Sequence, residues 1–157
     1  MTSVYLRRLV LGAAVAWATV AVLPAEENAD TRALAALVQD WAAARSANDV
    51  DKMRPLFAAD VDHVRLSDGA LMATDRSALL QWFDTAFRGD GKGSTARIES
   101  HRERLLSDSA GLADNTFTLH APDGQMTMRG HVTFVCMKKG GVWTVSAVRF
   151  ASAPTSR

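Results

Sequence analysis

The residues best suited to acid/base chemistry lie in "VDHVRL", residues 61–66. If this stretch is a β-strand, His63 and Arg65 share one face, because side chains alternate along a strand. A histidine titrates near neutral pH and an arginine binds acidic or carbonyl groups, so the pair predicts proton transfer at a polar ligand. The alternative buries Val64 and Leu66 and places the pair on the outer surface, since a one-residue change of register exchanges the two faces.

Three further polar candidates lie in the second half of the sequence. Asp114, with Thr116, is the next candidate for an acid or a base, although "LADNT" also fits a bulge or a turn. His131 belongs to a polar strand face that lines either a wet cavity or the solvent and an oligomer contact. Arg149 shares a face of the last strand with the apolar Trp143. It is either a cation over an apolar cavity floor or a side chain that extends to solvent at the end of the strand.

Sequence motifs for other chemistries are missing. No nucleophile elbow, phosphate-binding loop or paired catalytic carboxylates occur, and no C-x-x-C or H-E-x-x-H pattern supports a metal, so neither a metal nor a cofactor is predicted. Cys136 is the only cysteine, which excludes an internal disulfide and indicates a small buried apolar residue. The glycine-rich "RGDGKGS" lacks the spacing of a phosphate loop and is interpreted as a flexible loop at the rim of a site.

Three helical patterns must position these residues. The first, "DTRALAALVQDWAAARSAND", has apolar residues at helical spacing and a cap at Asp30 or Thr31. The second, "DVDKMRPLFA", places Phe57 on its apolar face, and Pro55 predicts a late start or a kink. The third, "TDRSALLQWFDTAF", is predicted to be capped by Thr74.

Strands and short turns follow the helices. The segments "TARIESHRERLL", "GLADNTFTLHA", "QMTMRGHVTFVCMK" and "VWTVSAVRFASA" are separated by the turn sequences "SDSAG", "PDGQ" and "KKGG". This order predicts an α+β fold with a curved antiparallel sheet. The three helices of the N-terminal half are expected to pack on its concave face, which makes a cone with an interior.

The N-terminus predicts export. A short basic start and the apolar run over residues 9–23 fit a signal peptide over residues 1–25. The alternative is that this segment stays uncleaved as a membrane anchor, which is the only membrane contact that the sequence predicts. The expected location is therefore secreted or periplasmic. The segment holds two of the 18 basic residues and none of the 17 acidic ones, so the remaining chain carries a net charge of −1. Such a charge gives no general attraction for nucleic acid. Residues 153–157 are expected to be a disordered tail.

The order of elements resembles the nuclear transport factor 2-like superfamily, in particular its SnoaL-like branch with the SgcJ/EcaC group. The phrases that carry the resemblance are "VQDWAAARSANDVDKMRPLFAADV", "DRSALLQWF" and "KKGGVWTVSAVRF". The resemblance implies a cone-shaped domain over residues 28–152 with a pocket for a small molecule. It argues for the fold more strongly than for a reaction.

The resemblance also implies positions for site residues. Ketosteroid isomerase relatives use a tyrosine on the first helix and an aspartate at the end of the first strand, and these positions correspond to Trp41 and Arg65. A tryptophan N–H donates a hydrogen bond but cannot share a proton, and an arginine cannot act as a base, so steroid isomerisation in its usual form is disfavoured. A histidine found on the third helix of SgcJ-like proteins is replaced by Phe83.

Two hypotheses follow for function. The first is an exported domain that binds a small apolar or carbonyl- or acid-bearing molecule. It includes cofactor-free acid/base chemistry of an isomerase, cyclase or hydrolase type, in which His63 is the proton acceptor. The second is a non-catalytic homodimer formed through the open face of the sheet, with Phe134 and Phe150 as the predicted contact residues.

Overall fold

The computed structural model describes residues 28–154, which form helices packed on one face of a six-stranded sheet. The helices are α1 (Ala29–Ser46), α2 (Val50–Met53) with a following 3-10 turn (Arg54–Leu56), and α3 (Arg76–Arg88). The strands are β1 (Phe57–Arg65), β2 (Ala70–Ala73), β3 (Thr95–Ser107), β4 (Ala110–His120), β5 (Met126–Lys139) and β6 (Val142–Pro154). The predicted signal peptide and residues 155–157 lie outside the described residues, and none of the described helices is long and apolar enough to cross a membrane.

The sheet is mixed, with the strand order β2-β1-β6-β5-β4-β3. Every neighbouring pair is antiparallel except β1 and β6, which run parallel. The α+β class and the curved sheet are therefore confirmed, while the purely antiparallel arrangement is wrong for one pair. Short turns predict antiparallel pairing only for strands that follow one another in sequence. Because β1 and β6 do not follow one another, their pairing could not be predicted in this way.

The helices begin and end close to the predicted residues. Asn28 caps α1 and Asp75 caps α3 through their side chains, in place of the residues predicted for these caps. Pro55 lies in the first positions of the 3-10 turn, where its missing N–H costs no hydrogen bond, and the chain then enters β1. The expectation that Phe57 lies on a helix is wrong, because it is the first residue of β1.

The closing hairpin is fixed to the start of α1. Gly140 and Gly141 both have positive φ, which is the backbone conformation that a tight turn between β5 and β6 requires. The Asp30 carboxylate on α1 accepts hydrogen bonds from Lys138 Nζ at 2.7 Å and from Trp143 Nε1 at 2.9 Å. These contacts hold the first turn of the helix against the sheet.

The core lies between α1, α3 and the inner face of the sheet. From the helices it takes apolar side chains at helical spacing, and from the strands it takes alternate residues. Phe134, Leu34 and Phe57 are among its largest fully buried side chains. One end of this layer is not filled, and the space left there is the cavity described next.

Candidate functional site

A cavity of about 200 Å³ lies between α1, α3 and the inner face of the sheet. Its wall is mostly apolar and aromatic, and the apolar contributors are Phe57, Leu79, Trp82, Phe83, Phe117, Leu119, Met128, Val132, Val148 and Phe150. Its polar contributors are Trp41, Arg45, His63, Arg65 and Ser152. An apolar wall with a few polar groups is typical of small-molecule sites.

His63 is the most unusual polar group in this wall. Its side chain is 4% exposed, and neither ring nitrogen has a hydrogen-bond partner in the structure. The ring makes edge contacts with Trp82 and Phe150, at centroid distances of 5.4 and 6.1 Å. Most buried polar groups are hydrogen-bonded, so an imidazole with two unsatisfied nitrogens indicates a place where a ligand or water binds.

The surroundings of His63 keep it neutral. Burial and, as smaller causes, the positive charges of Arg149 and Arg65 together lower its pKa from 6.5 to about 4, while Asp62 opposes them. Burial dominates because an imidazolium loses its hydration in an apolar wall. At neutral pH the ring therefore presents one N–H donor and one nitrogen lone pair.

The other predicted pocket residues are distributed between the cavity and its rim. Trp41 on α1 is buried and lines the cavity, with its Nε1 atom unpaired within residues 28–154. Phe83 on α3 lies in the wall and stacks on Phe57 at 6.4 Å. Arg65 lines the rim, and its guanidinium is half-exposed and paired with Asp68 at 2.7 Å. His63 and Arg65 thus share the inner face, which is the arrangement that the first of the two registers predicted.

Asp114 does not face the cavity, so the prediction of an inward carboxylate is wrong. It lies on the outer face of β4, where Thr133 Oγ1 donates a hydrogen bond to its carboxylate at 2.6 Å. Its neighbour Asn115 points inward instead and is 1% exposed, with Oδ1 unpaired in the described structure. The strand runs without a bulge through this stretch, and simple alternation from the buried Ala113 and Phe117 decides the face.

Arg149 and His131 also lie outside the cavity, so the place in its wall is wrong for both and the alternative outside the cavity holds. Val135 pairs with Ala147 while Cys136 pairs with Val145, so β6 has an extra residue that exchanges the faces of the strand before Arg149. Arg149 then lies on the outer face, where its guanidinium makes two hydrogen bonds to Asp62, at 2.6 and 3.0 Å. His131 is exposed on the same outer face.

The two residues proposed as dimer contacts are not on an outer surface. Phe134 is fully buried and packs edge-on against Trp41 at 5.4 Å. Phe150 lines the cavity and stacks on Phe117 at 5.0 Å. A charge at either position would disrupt the core, so these residues cannot report on a dimer interface.

Arg45 lines the cavity and was not predicted from the sequence. It follows Trp41 by four residues, which places both on one face of α1 with the buried Leu34 and Val38. A signal was therefore present, because a charged residue on an otherwise apolar helical stripe must enter the core. The "RGDGKGS" loop packs against this end of α1, where Ser94 Oγ accepts a hydrogen bond from Arg45 Nη1 at 3.2 Å.

The geometry is suited to holding a molecule that is apolar over most of its surface and polar at one end. Two buried polar groups, the imidazole of His63 and the indole N–H of Trp41, lack partners in the described part of the chain. Together they offer two hydrogen-bond donors and one acceptor. A carbonyl oxygen fits a donor, and a hydroxyl hydrogen or an acidic C–H fits the lone pair of a neutral imidazole.

Comparison with known proteins gives one family match. The model of the SnoaL-like domain matches residues 34–151. No curated protein matches the sequence of the chain.

Three solved structures illustrate the similarity of fold. A domain of unknown function with a cystatin-like fold from Nostoc punctiforme superposes with a TM-score of 0.71 at 16% identity, covering 80% of this chain and 78% of that one. A ketosteroid isomerase-like protein from Erwinia carotovora atroseptica gives 0.65 at 13%, covering 83% and 100%. A provisionally assigned calcium/calmodulin dependent protein kinase II association domain from Xanthomonas campestris gives 0.65 at 26%, covering 87% and 95%.

Proposed function

Because the chain belongs to the family of SnoaL-like domains, we propose that its cavity binds a small, largely apolar molecule whose polar group is received by His63. The observation that carries the proposal is the buried imidazole with two unpaired nitrogens in an apolar wall. Leaving a buried polar group without a partner costs about 1–3 kcal/mol. A ligand that supplies the partner regains this free energy, whereas a purely structural histidine would be bonded to the protein.

The proposal extends to cofactor-free acid/base chemistry at a carbonyl ligand. In this scheme the Trp41 N–H donates a hydrogen bond to the carbonyl oxygen, and the His63 lone pair removes a proton from the adjacent carbon. The imidazolium then returns that proton to the same or a neighbouring carbon, so an isomerisation leaves the proton count unchanged. The structural neighbour named as ketosteroid isomerase-like motivates this reaction class. This chain has Trp41 and Arg65 at the positions that the resemblance assigns to the tyrosine and the aspartate of ketosteroid isomerases.

The low pKa of His63 sets the limit of this chemistry. A base with a pKa of about 4 is weak at neutral pH, and catalysis is most efficient when the pKa lies near the working pH. A negative charge on the bound ligand would raise the pKa and improve the base. Binding is therefore the primary function proposed, and proton transfer is the secondary one.

Binding can be tested with acetophenone, a neutral one-ring ketone, on the full-length chain. An apolar cavity of about 150 Å³ already holds benzene, so a ring with a short substituent matches the space here. We expect saturable binding by calorimetry and a concentration-dependent rise in melting temperature. Ser152→Phe should abolish both by filling the cavity, whereas Ala151→Phe, on the opposite face of β6, should leave them unchanged. Equal effects of the two substitutions would place binding elsewhere.

Proton transfer has its own test with the same ligand. In heavy water, exchange of the methyl protons of acetophenone for deuterium reports proton abstraction without knowledge of the natural substrate. We expect the chain to accelerate this exchange and His63→Gln to remove the acceleration. Saturable binding without any exchange would limit the function to binding.

Export is a separate proposal that depends only on residues 1–25. We propose that the domain works outside the cytoplasm and is related to the SgcJ/EcaC group. Cell fractionation with antibody detection tests the location. A protein found in the cytoplasm at full length would contradict it.

A non-catalytic assembly module is the second candidate function. The observation in its favour is the 26% identity to the association domain from Xanthomonas campestris, since that name describes assembly. We propose a homodimer formed through the outer face of the sheet. Light scattering at several protein concentrations should give the mass of two chains, and a mass of one chain throughout would contradict the proposal.

A further inference from the structure

Arg45 is a buried cation in the wall of the cavity. Its side chain is 7% exposed and leaves α1 in the last helical turn. The guanidinium lies over the ring of Phe87 at 4.8 Å and donates one hydrogen bond to Ser94 Oγ. Both contacts are neutral, and arginine stays protonated inside proteins, so a full positive charge lies in an apolar layer.

No carboxylate of residues 28–154 forms an ion pair with Arg45. The arginines at positions 54, 65, 88 and 149 each have an aspartate within 4.0 Å, although all four are much more exposed. The carbonyl groups at the end of α1 and the Phe87 ring offset part of the cost of burying the charge. Neither carries a net negative charge, so this buried arginine has no counterion among residues 28–154.

The loop that follows α3 holds this guanidinium in place. The Gly93 N–H donates to Asn48 Oδ1 at 2.8 Å, and Asn48 Nδ2 donates to the Ser94 carbonyl at 3.1 Å. A Cβ atom at Gly91 would lie 2.7 Å from a carbonyl oxygen of α3 and 3.7 Å from Arg45 Nη2. Only glycine allows the loop to pass this close to α3. The loop thereby presents Ser94 to the guanidinium, and Ser94 and the Phe87 ring fix the cation before any ligand arrives, which reduces the entropic cost of binding.

We infer that Arg45 is the anion-binding group of the cavity and that the ligand is a monocarboxylic acid with an apolar body about the size of one aromatic ring. The inference rests on the proposed function, because it assigns the ligand class of the same cavity. The size follows from the volume of about 200 Å³, and the single charge follows from one unpaired cation in an apolar wall. A phosphate would bring more charge than Arg45 can neutralise.

The test compares 3-phenylpropionate with 3-phenylpropanamide by calorimetry at pH 7 on the full-length chain. The two probes share their ring and chain and differ in charge, so the comparison needs no variant. We expect the acid to bind at least about tenfold more tightly, because a charge-assisted hydrogen bond is stronger than a neutral one. Equal affinities would overturn the inference but leave the proposed binding function intact, and no binding of either probe would contradict the proposed function itself.

Variants then identify the cation. Arg45→Gln should weaken binding of the acid by about thirtyfold or more and leave binding of the amide nearly unchanged, as expected when one partner of a buried charge pair is removed. Arg45→Lys should recover part of the loss. Arg88→Gln, which removes an exposed arginine paired with Asp84, is the matched control. If Arg65→Gln abolishes the preference for the acid and Arg45→Gln does not, the assignment to Arg45 is wrong.

Discussion

His63→Phe is expected to remove a pH-dependent loss of stability that the native protein shows between pH 7 and pH 4. In the folded state burial lowers the pKa of His63 from 6.5 to about 4, while in the unfolded chain it returns to its ordinary value. At a pH between these two pKa values, the unfolded state binds a proton that the folded state does not. Stability therefore rises with pH across this window and is lost as the pH falls through it.

The size of the effect follows from the width of the window. Each pH unit over which one extra proton is bound changes the free energy of unfolding by about 1.36 kcal/mol. Between pH 7 and pH 4 the contribution of His63 is then about 3 kcal/mol, on a total stability of about 5–15 kcal/mol for a domain of this kind. A phenylalanine keeps the edge contacts with Trp82 and Phe150 and carries no proton.

Urea denaturation of both proteins at pH 7, 6, 5 and 4 measures this difference directly. The stability of the variant minus that of the native protein should increase by about 3 kcal/mol from pH 7 to pH 4. Other groups that titrate in both proteins cancel in the subtraction. A difference that stays constant with pH would refute the account of His63 as a buried neutral imidazole.

Three further predictions concern other parts of the fold. Cys136 should react with a thiol reagent only after unfolding, because it is buried and burial raises its pKa to about 12. Reaction of the folded protein at the rate of an exposed thiol would contradict this. Asp30→Ala should lower the melting temperature more than Asp40→Ala on the exposed side of the same helix, because only Asp30 bonds to the closing hairpin, and equal shifts would contradict it. Gly130→Ala should destabilise the domain by at least about 2 kcal/mol in urea, since the new Cβ would collide with the backbone carbonyl oxygen of Ala151 and lie 2.8 Å from the Phe117 ring. An unchanged midpoint would contradict it.

The fold was largely predictable because its helices and strands follow strong local patterns. The stripe of Leu34, Val38 and Trp41 defines α1, and Gly140 with Gly141 defines the last turn. The parallel pairing of β1 with β6 joins segments far apart in sequence, and no local pattern records such a pairing.

The site was predictable only where alternation along a strand is regular. His63 and Arg65 were assigned to one face because β1 alternates from Val61 to Arg65, and the structure selects the register in which that face lines the cavity. Arg149 was misplaced because a single extra residue in β6 exchanges its faces, and an isolated sequence of apolar residues gives no sign of that bulge. Asp114 and Asn115 are adjacent polar residues, so the sequence allows either to face inward until the register is known.

The position of Arg45 in the core could have been predicted from the sequence. Its position four residues after Trp41 placed a charge on the apolar stripe of α1, although its lack of an ion-pair partner in the described chain is visible only in three dimensions. Periodicity thus identifies which polar residues enter the core. Packing decides which of them remain without a partner and are therefore suited to bind a ligand.

The central claim is that a small molecule binds in the cavity against His63 and Trp41. Nuclear magnetic resonance of the full-length chain during titration with acetophenone tests it most directly, by following the imidazole C–H signals of His63 and the indole N–H signal of Trp41. The account predicts saturable shifts of both with one shared dissociation constant. Saturable binding that leaves both signals unmoved, or the absence of any saturable change, would contradict it.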